Sequence, residues 1–564
     1  MATLDTQTRD MAVLRVQDPR IARQNKLVNV IQDGPSSVTY QTVTPPDPTS
    51  NSPSIVIQTP SPNAGICRTL RLHAKGFLTI TGTGLQAFKA FSSIALRQNP
   101  LQSCMQSCNI QLNDLTLSLG SLSLYANALA NAGNTSASMK QTQSGAPSRP
   151  DTYSDYIYDV AAQTIFEAFG DNVYSDDAVS GRTAQITALT YNEANTEVVV
   201  SYDIYENIII SPFEYTNGLS KSLYGINTLT LNINYAGFHR MLSFAPLPGV
   251  VVTSVANVFQ AQDVSVSYCI PQDNSLIERP LKNTYEWTAV QYYSTTYGAS
   301  VAPGATFQAS VNAIEFSTIP SRIIVYVTAS STDVQNPALS IPEFCCPVQS
   351  ISVTYGSRAG LLSGASSIML WDVYRSNGGR LAYPVWAGLT VNSSAVPESD
   401  NAPRSYVGGP LILDSAADLS LPSGVVPGLN QRIQFALQGT FKNQTPQTWA
   451  NLRIVVLALT TGSINILNGS SVGTLGNGLT LAEIAAAPMA GLNETSKVVE
   501  SRAKNGYGGA QMGGNWWNDF TSGVSQGLSG VAQMAMPVLQ TARMFAGGAI
   551  LGGRKVSKAQ LARY

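Results

Sequence analysis

Between Asn207 and Leu242 the chain reads NIIISPFEYTNGLSKSLYGINTLTLNINYAGFHRML. Leu229, Leu231, Ile233 and Tyr235 alternate with Thr230, Asn232 and Asn234, so one set of side chains faces a core and the other faces water, as on a half-buried strand. The Ile208-Ile209-Ile210 run predicts a strand covered on both faces, and Ser211-Pro212 a polar elbow between the two. The same alternation recurs on both sides of this stretch. Leu70, Leu72 and Phe77 to Ile80 precede it, as do Ile110 to Leu122, read as a hairpin, and Val198 to Ile204. Val264, Val266 and Tyr268 close the first half. Trp287 to Tyr293, Phe307 to Phe316, Ile323 to Val327, Ile351 to Tyr355, Leu411 to Leu413, Ile433 to Leu437 and Ile454 to Leu459 follow.

Short strands at this spacing, separated by Gly, Pro and Asn turns, predict an all-β fold of two tandem sandwiches. The expected organisation is an N-terminal arm over 1–60, a first sandwich over 61–275 with a long loop insertion near 125–195, a second over 286–490, and a Gly-rich tail over 491–564. The junction falls in the polar, Pro-containing stretch from Ile270 to Glu286. The arm is read from TVTPPDPTSNSPSIVIQTP, where dense prolines remove amide donors and keep the chain out of a sheet interior. Thr480-Leu-Ala-Glu483 is a capping box opening a short helix that ends near Pro488.

In the tail Trp517, Phe520, Val524, Leu528 and Val531 recur at three- and four-residue steps, with Trp516 beside the first, and share one face of a helix. Gly523, Gly527 and Gly530 each weaken such a helix by roughly 1 kcal/mol, so it needs a surface on which to fold. A membrane interface and a neighbouring subunit both serve.

Charge sharpens this picture. Only 12% of residues are charged and the net charge is −1. From Thr495 onward, however, eight basic residues and two acidic ones give the tail +6 and leave the body at −7. The basic end, Arg554, Lys555, Lys558 and Arg563, points to an anionic partner, nucleic acid or membrane, or else to a solvated tail. A body so poor in charge suits faces that meet further copies of the same chain. Six scattered cysteines and the polar residues after Met1 predict reduced thiols, assembly inside a cell and no secretory signal.

Candidate chemistry is sparse. Gly82-Thr-Gly84-Leu-Gln-Ala87 matches a dinucleotide fingerprint but lacks the following acidic residue. Gly523-Val-Ser525-Gln-Gly527 matches a nucleophile elbow but lies in the amphipathic tail. Only two histidines exist, His73 and His239, and Cys104 and Cys108 lack a second pair, so no zinc pattern forms. No catalytic residue, cofactor site or metal site is predicted.

Four segments carry a family resemblance. They are Ser148-Arg-Pro-Asp151; IIISPFEY with LYGINTLTLNINYAGFHR; Thr318-Ile-Pro320 before IIVYV, with ISVTYGSRAGLLSGAS; and LWDVYRSNGG. In this order the chain resembles the double-jelly-roll major capsid proteins of the polinton-like virus, virophage and adintovirus group. The resemblance implies two eight-stranded jelly rolls side by side and a homotrimeric, pseudo-hexagonal capsomer of an icosahedral shell, without catalysis. It also implies penton and minor capsid proteins as partners, a virion location, and a tail facing an internal membrane or the genome. The alternatives are a carbohydrate-binding or carbohydrate-cleaving β-sandwich, which would need two apposed carboxylates in a groove, and a cell-surface or fibre adhesin.

Overall fold

Alternation along the chain becomes two sandwiches in the computed structural model, which describes residues 34–133, 157–159, 164–166 and 186–486 with short gaps within these stretches. Arg71–Thr83 shows how. Leu72, Ala74, Leu78 and Ile80 point inward and are buried, while His73, Lys75 and Thr79 face out. Burying each large apolar side chain contributes about 1.5–3 kcal/mol.

In the first half, one sheet runs in the order Ser37–Val43, Ser265–Gln272, Arg71–Thr83, Glu197–Asn207, Ile186–Tyr191, with Val251–Phe259 also paired to Arg71–Thr83. The facing sheet runs Ser54–Gln58, Thr228–Tyr235, Met105–Leu112, Leu115–Gly120. In the second half the first sheet is Lys282–Tyr297, Leu452–Leu467, Arg322–Ala329, Leu411–Asp414, and Ser470–Leu475 lies along Leu452–Leu467. Its facing sheet is Thr306–Phe316, Ile433–Lys442, Val348–Tyr355, Arg358–Leu361. Strand for strand, the long strands have the same order in both halves. A duplication that residue identity conceals is thus plain in the pairing. Both sandwiches belong to one compact unit, Pro35–Met512.

Four readings of the sequence need correction. Residues 1–60 are not all arm, because Ser37–Val43 pairs with Ser265–Gln272 and Ser54–Gln58 with Thr228–Tyr235. Pro45, Pro46, Pro48 and Pro53 lie between these two strands, and each strand occupies a sheet edge, where one side needs no partner. The Ile208-Ile209-Ile210 run is not a strand. The Glu197–Asn207 strand ends before it, and the three isoleucines are buried in the turn that follows. Leu122 does not continue the hairpin but opens the Leu122–Gly133 helix. Within the expected loop insertion, Ile157–Asp159 and Thr164–Phe166 are strands, and the first pairs with Arg404–Tyr406 of the second half. The capping box forms as expected: Glu483 accepts from the Thr480 amide at 2.8 Å, and Thr480 accepts from the Glu483 amide at 3.2 Å, at the start of Leu481–Ala486.

Candidate functional site: the join between the two sandwiches

Beside the pairing of Ile157–Asp159 with Arg404–Tyr406, three groups of contacts among the described residues fasten one sandwich to the other. Tyr285, buried in the opening strand of the second half, reaches Tyr224 of the first. Its hydroxyl accepts from the Tyr224 amide at 2.6 Å and donates to the Tyr224 carbonyl at 3.2 Å. Burial pushes this phenol up to about 12, against the opposing Tyr224 hydrogen bond and Arg68, so it remains a donor at neutral pH. The Arg68 guanidinium sits 5.4 Å from the centre of its ring, a cation–π contact. Nearby, the Thr288 amide donates to Ser211 Oγ at 2.8 Å.

The second contact interlocks two turns. Asn113 and Asp114 alone connect Met105–Leu112 to Leu115–Gly120, and Asn113 takes the left-handed conformation (φ 54°) that Asn tolerates in tight hairpins. Asn113 Nδ2 donates to Ser471 Oγ at 2.9 Å, and its Oδ1 accepts from the Asn227 amide at 2.8 Å. Asp114 accepts from the Ser471 amide at 2.6 Å and from Ser470 Oγ at 2.8 Å. These bonds hold its carboxyl below the usual carboxylate range. On the other side Gly469 takes a positive φ of 81°, and a Cβ there would meet the side-chain Nδ2 of Asn227.

The third contact is the Leu122–Gly133 helix. Its Tyr125 ring stacks on Tyr292 at 5.8 Å, and Tyr326 donates from its hydroxyl to the Leu124 carbonyl at 3.3 Å. Arg240 reaches Ser123 Oγ from the 3-10 turn Phe238–Met241. With this cover, Leu452 to Thr460 are buried on both faces of their sheet. The join therefore combines apolar burial with directional bonds, which fix orientation as well as contact.

Under the first sandwich lies a fully buried carboxylate, Glu206. It accepts from the Leu101 amide at 2.7 Å, the Gln102 amide at 3.0 Å and Gln102 Nε2 at 2.6 Å. Gln102 in turn accepts from the Ile209 amide at 3.0 Å and donates to the Asn207 carbonyl at 2.9 Å. Burial raises Glu206 to about 7, with the three hydrogen bonds working in the opposite direction. The network anchors the end of Glu197–Asn207 to the Pro100–Ser103 helical turn and accounts for the buried isoleucine turn after it.

The structure separates the residues that looked capable of chemistry. Among the described residues Gly82 and Gly84 are followed by the 3-10 turn Leu85–Ala87 and the Ile94–Leu96 strand, and residues 88–93 lie outside them. A Cβ at Gly82 would collide with the Val251 carbonyl and one at Gly84 with the Gly249 carbonyl, so these glycines admit the Val251–Phe259 strand. Gly82→Ala is accordingly expected to destabilise by about 1–3 kcal/mol through overpacking, measured as a lower melting temperature. His73 lies 2.8 Å from Asp203 and stacks on Tyr205 at 4.1 Å. Cys104 and Cys108 are buried, and burial pushes Cys108 up to about 12 and Cys104 well above its ordinary value, which removes reactive thiolate. Among the described residues no three His, Cys, Asp or Glu gather as a metal would require. Trp516, Trp517, Phe520, Val524, Leu528, Val531, Arg554, Lys555, Lys558 and Arg563 lie outside the described residues, as does Gly523 to Gly527.

Sequence reasoning missed the join and Glu206, although signals existed for both. Asn-Asp between two alternating runs marks a tight hairpin. Continuing the inward set Val198, Val200, Tyr202, Ile204 by two places lands on Glu206.

Two tandem sandwiches of matched strand order, locked side by side, define the double-jelly-roll class of viral capsid protein. The cryo-electron-microscopy structure of Sputnik virophage has the same fold, with a TM-score of 0.74 at 20% identity over 86% of this chain and 98% of that one. The crystal structure of the mavirus major capsid protein gives 0.63 at 15% identity over 85% and 98%. In sequence, the putative capsid protein V20 of Sputnik virophage is 21% identical over 487 residues, 82% of this chain and 80% of that protein. Two family models match in succession: the Sputnik virophage major capsid protein 1st domain over residues 9–272, and the major capsid protein V20 C-terminal domain over 290–462. The chain belongs to the virophage double-jelly-roll major capsid protein family, a family of structural capsid proteins and not of enzymes.

Proposed function

We propose that three copies of this chain form a pseudo-hexagonal capsomer, and that these capsomers tile an icosahedral virion shell alongside penton and minor capsid proteins. The observation that carries this reading is the join: directional bonds and apolar packing turn two sandwiches of one topology into a single block with two similar faces to offer its neighbours. Obligate interfaces of such assemblies commonly bury upwards of about 2,000 Å². The purified chain is therefore expected to elute as a trimer that survives dilution and to form shells visible by electron microscopy. A stable monomer over the whole concentration range would overturn the proposal.

The tail from Gly513 to Tyr564 has a separate role in this reading. Its apolar stripe of Trp516, Trp517, Phe520, Val524, Leu528 and Val531 folds on the inner side of the shell, and Arg554, Lys555, Lys558 and Arg563 draw it to an anionic membrane. Burial of each large side chain supplies about 1.5–3 kcal/mol, against about 1–2 kcal/mol for ordering each backbone residue. The helix accordingly needs a partner surface. Deleting residues 513–564 is expected to leave the trimer and its melting temperature unchanged while abolishing binding to phosphatidylserine vesicles and impairing shell formation. Binding to DNA with indifference to vesicles would transfer the tail to the genome instead.

A further inference from the structure

The two halves repeat one topology, but among the described residues only one of two equivalent faces is covered. In the first half the hairpin Met105–Leu112 and Leu115–Gly120 runs into the Leu122–Gly133 helix. In the second, the equivalent hairpin Val348–Tyr355 and Arg358–Leu361 runs into the Ser367–Ser376 helix. The first helix lies on the outer face of the sheet that contains Lys282–Tyr297 and Arg322–Ala329, through Tyr125 on Tyr292 and Leu124 beneath Tyr326.

Among the described residues nothing equivalent covers the corresponding sheet of the first half. Its outer face presents Val38, Tyr40, Phe77, Tyr205, Val251 and Val258, each between 40% and 81% exposed. The equivalent helix of the second half is also open on one side. Leu370 and Tyr374 bury into their own sandwich, while Ile368 and Met369 are 52% and 56% exposed. Scattered exposed apolar side chains are ordinary, but a concentration of them marks a contact surface. Of the twelve large apolar side chains exposed among the described residues, eight lie on these two surfaces. Asp372, one turn beyond Ile368 on the same helix side, is exposed, and the open sheet carries Arg71, while its Lys75 is paired with Asp203 on the same face at 3.5 Å.

We infer that the Ser367–Ser376 helix of one copy docks through Ile368 and Met369 on the outer face of the sheet containing Arg71–Thr83 in a second copy. The contact repeats between chains the packing that Leu122–Gly133 makes within one. It rests on the trimeric reading above and names the two surfaces that meet. It is heterologous, with a helix from one copy and a sheet from the next, the kind of contact that closes into a ring. A ring of three then contains six sandwich-to-sandwich joints of one type.

Both surfaces are exposed in the single chain, so charges can be placed there without entering a core. In the full-length protein, Ile368→Glu with Met369→Glu, and separately Phe77→Glu or Val258→Glu, are expected to raise the concentration at half-dissociation of the trimer roughly a hundredfold, since an unpaired charge is then buried at the contact. Light scattering on a dilution series reads this, and circular dichroism checks that each variant keeps its strands. Val472→Glu, at an exposed site outside both surfaces, should leave the trimer unchanged, and combining Met369→Lys with Val258→Glu in one chain should restore it. Helix and sheet variants as trimeric as the parent would overturn the contact alone. So would loss of the trimer on deletion of residues 513–564, which would make the tail the occupant of the open sheet. A parent chain that is monomeric throughout would overturn the trimeric reading itself.

Discussion

Glu206→Ala is expected to destabilise the protein by about 3–5 kcal/mol, because it removes the only acceptor shared by three donors in a site closed to water. The Leu101 and Gln102 amides and Gln102 Nε2 all converge on this carboxylate. Without it the Leu101 and Gln102 amides remain buried and unpaired, and the Gln102 side chain, though it still donates to the Asn207 carbonyl, loses the anchor that lets it hold Ile209. A drop of less than about 1 kcal/mol in denaturant or thermal unfolding would show that the cluster relaxes or admits water. The same residue makes stability depend on pH. Burial raises the folded carboxyl to about 7 from an ordinary value of 4.5, so the folded state binds the proton more tightly than the unfolded one. The stabilisation is fully present below about pH 4.5 and is lost as pH rises through 7, with a swing on the order of 3 kcal/mol. In Glu206→Gln the overall melting temperature falls at every pH, since an amide NH2 then faces N–H donors. Its decline between pH 4.5 and 7 should nevertheless flatten relative to the parent. An equal slope in both proteins would assign the effect to other groups.

Much of the architecture was legible because period-two alternation survives folding wherever one face of a strand meets a core. Leu229 to Tyr235 and Val198 to Ile204 lie in strands where the alternation puts them, with their apolar members buried. The reading failed where context changes the meaning of an apolar run. Ile208 to Ile210 have high strand propensity, but only the Ile208 amide still bonds to the adjacent strand, at the Leu70 carbonyl; the Ile209 amide donates to Gln102 and the Ile210 carbonyl accepts from Phe213 in the turn at Ser211. Leu122 falls out of step with Leu115, Leu117 and Leu119, since Ser121 holds the position that would continue them, and it opens the helix whose Tyr125 packs on the neighbouring sandwich. The duplication was invisible by residue identity since the two halves share parity and strand order rather than particular side chains. The join was hidden for a different reason. Asn113, Asp114, Ser470 and Ser471 are polar turn residues whose partners lie more than 350 positions away, and no local pattern encodes such a pairing.

Tyr285→Ala should do more than lower stability: it should split the unfolding of the protein into two transitions. The buried apolar side chains of the two halves run together as one cluster, but each half has its own pair of facing sheets and is of a size to fold by itself. What makes them melt together is the energy of the join relative to the stability of the weaker half. Tyr285 contributes a buried ring, a donor to the Tyr224 carbonyl and an acceptor for the Tyr224 amide. Truncation to alanine removes the ring and the acceptor of the Tyr224 amide, while the Tyr224 carbonyl keeps Asn283 Nδ2 at 3.4 Å, a loss of about 3–5 kcal/mol. Tyr285→Phe keeps the ring and loses only the hydroxyl, about 1–2 kcal/mol, so its melt is expected to stay single and shift modestly. Adding Asn113→Ala to Tyr285→Ala removes a second contact on another part of the join and should widen the gap between the two transitions. Scanning calorimetry on the four proteins separates the possibilities. If the double variant still unfolds in one sharp transition at the parental temperature, the sandwiches are coupled chiefly through the Leu122–Gly133 helix and its Tyr125 to Tyr292 stack, and the polar bonds of the join contribute only alignment.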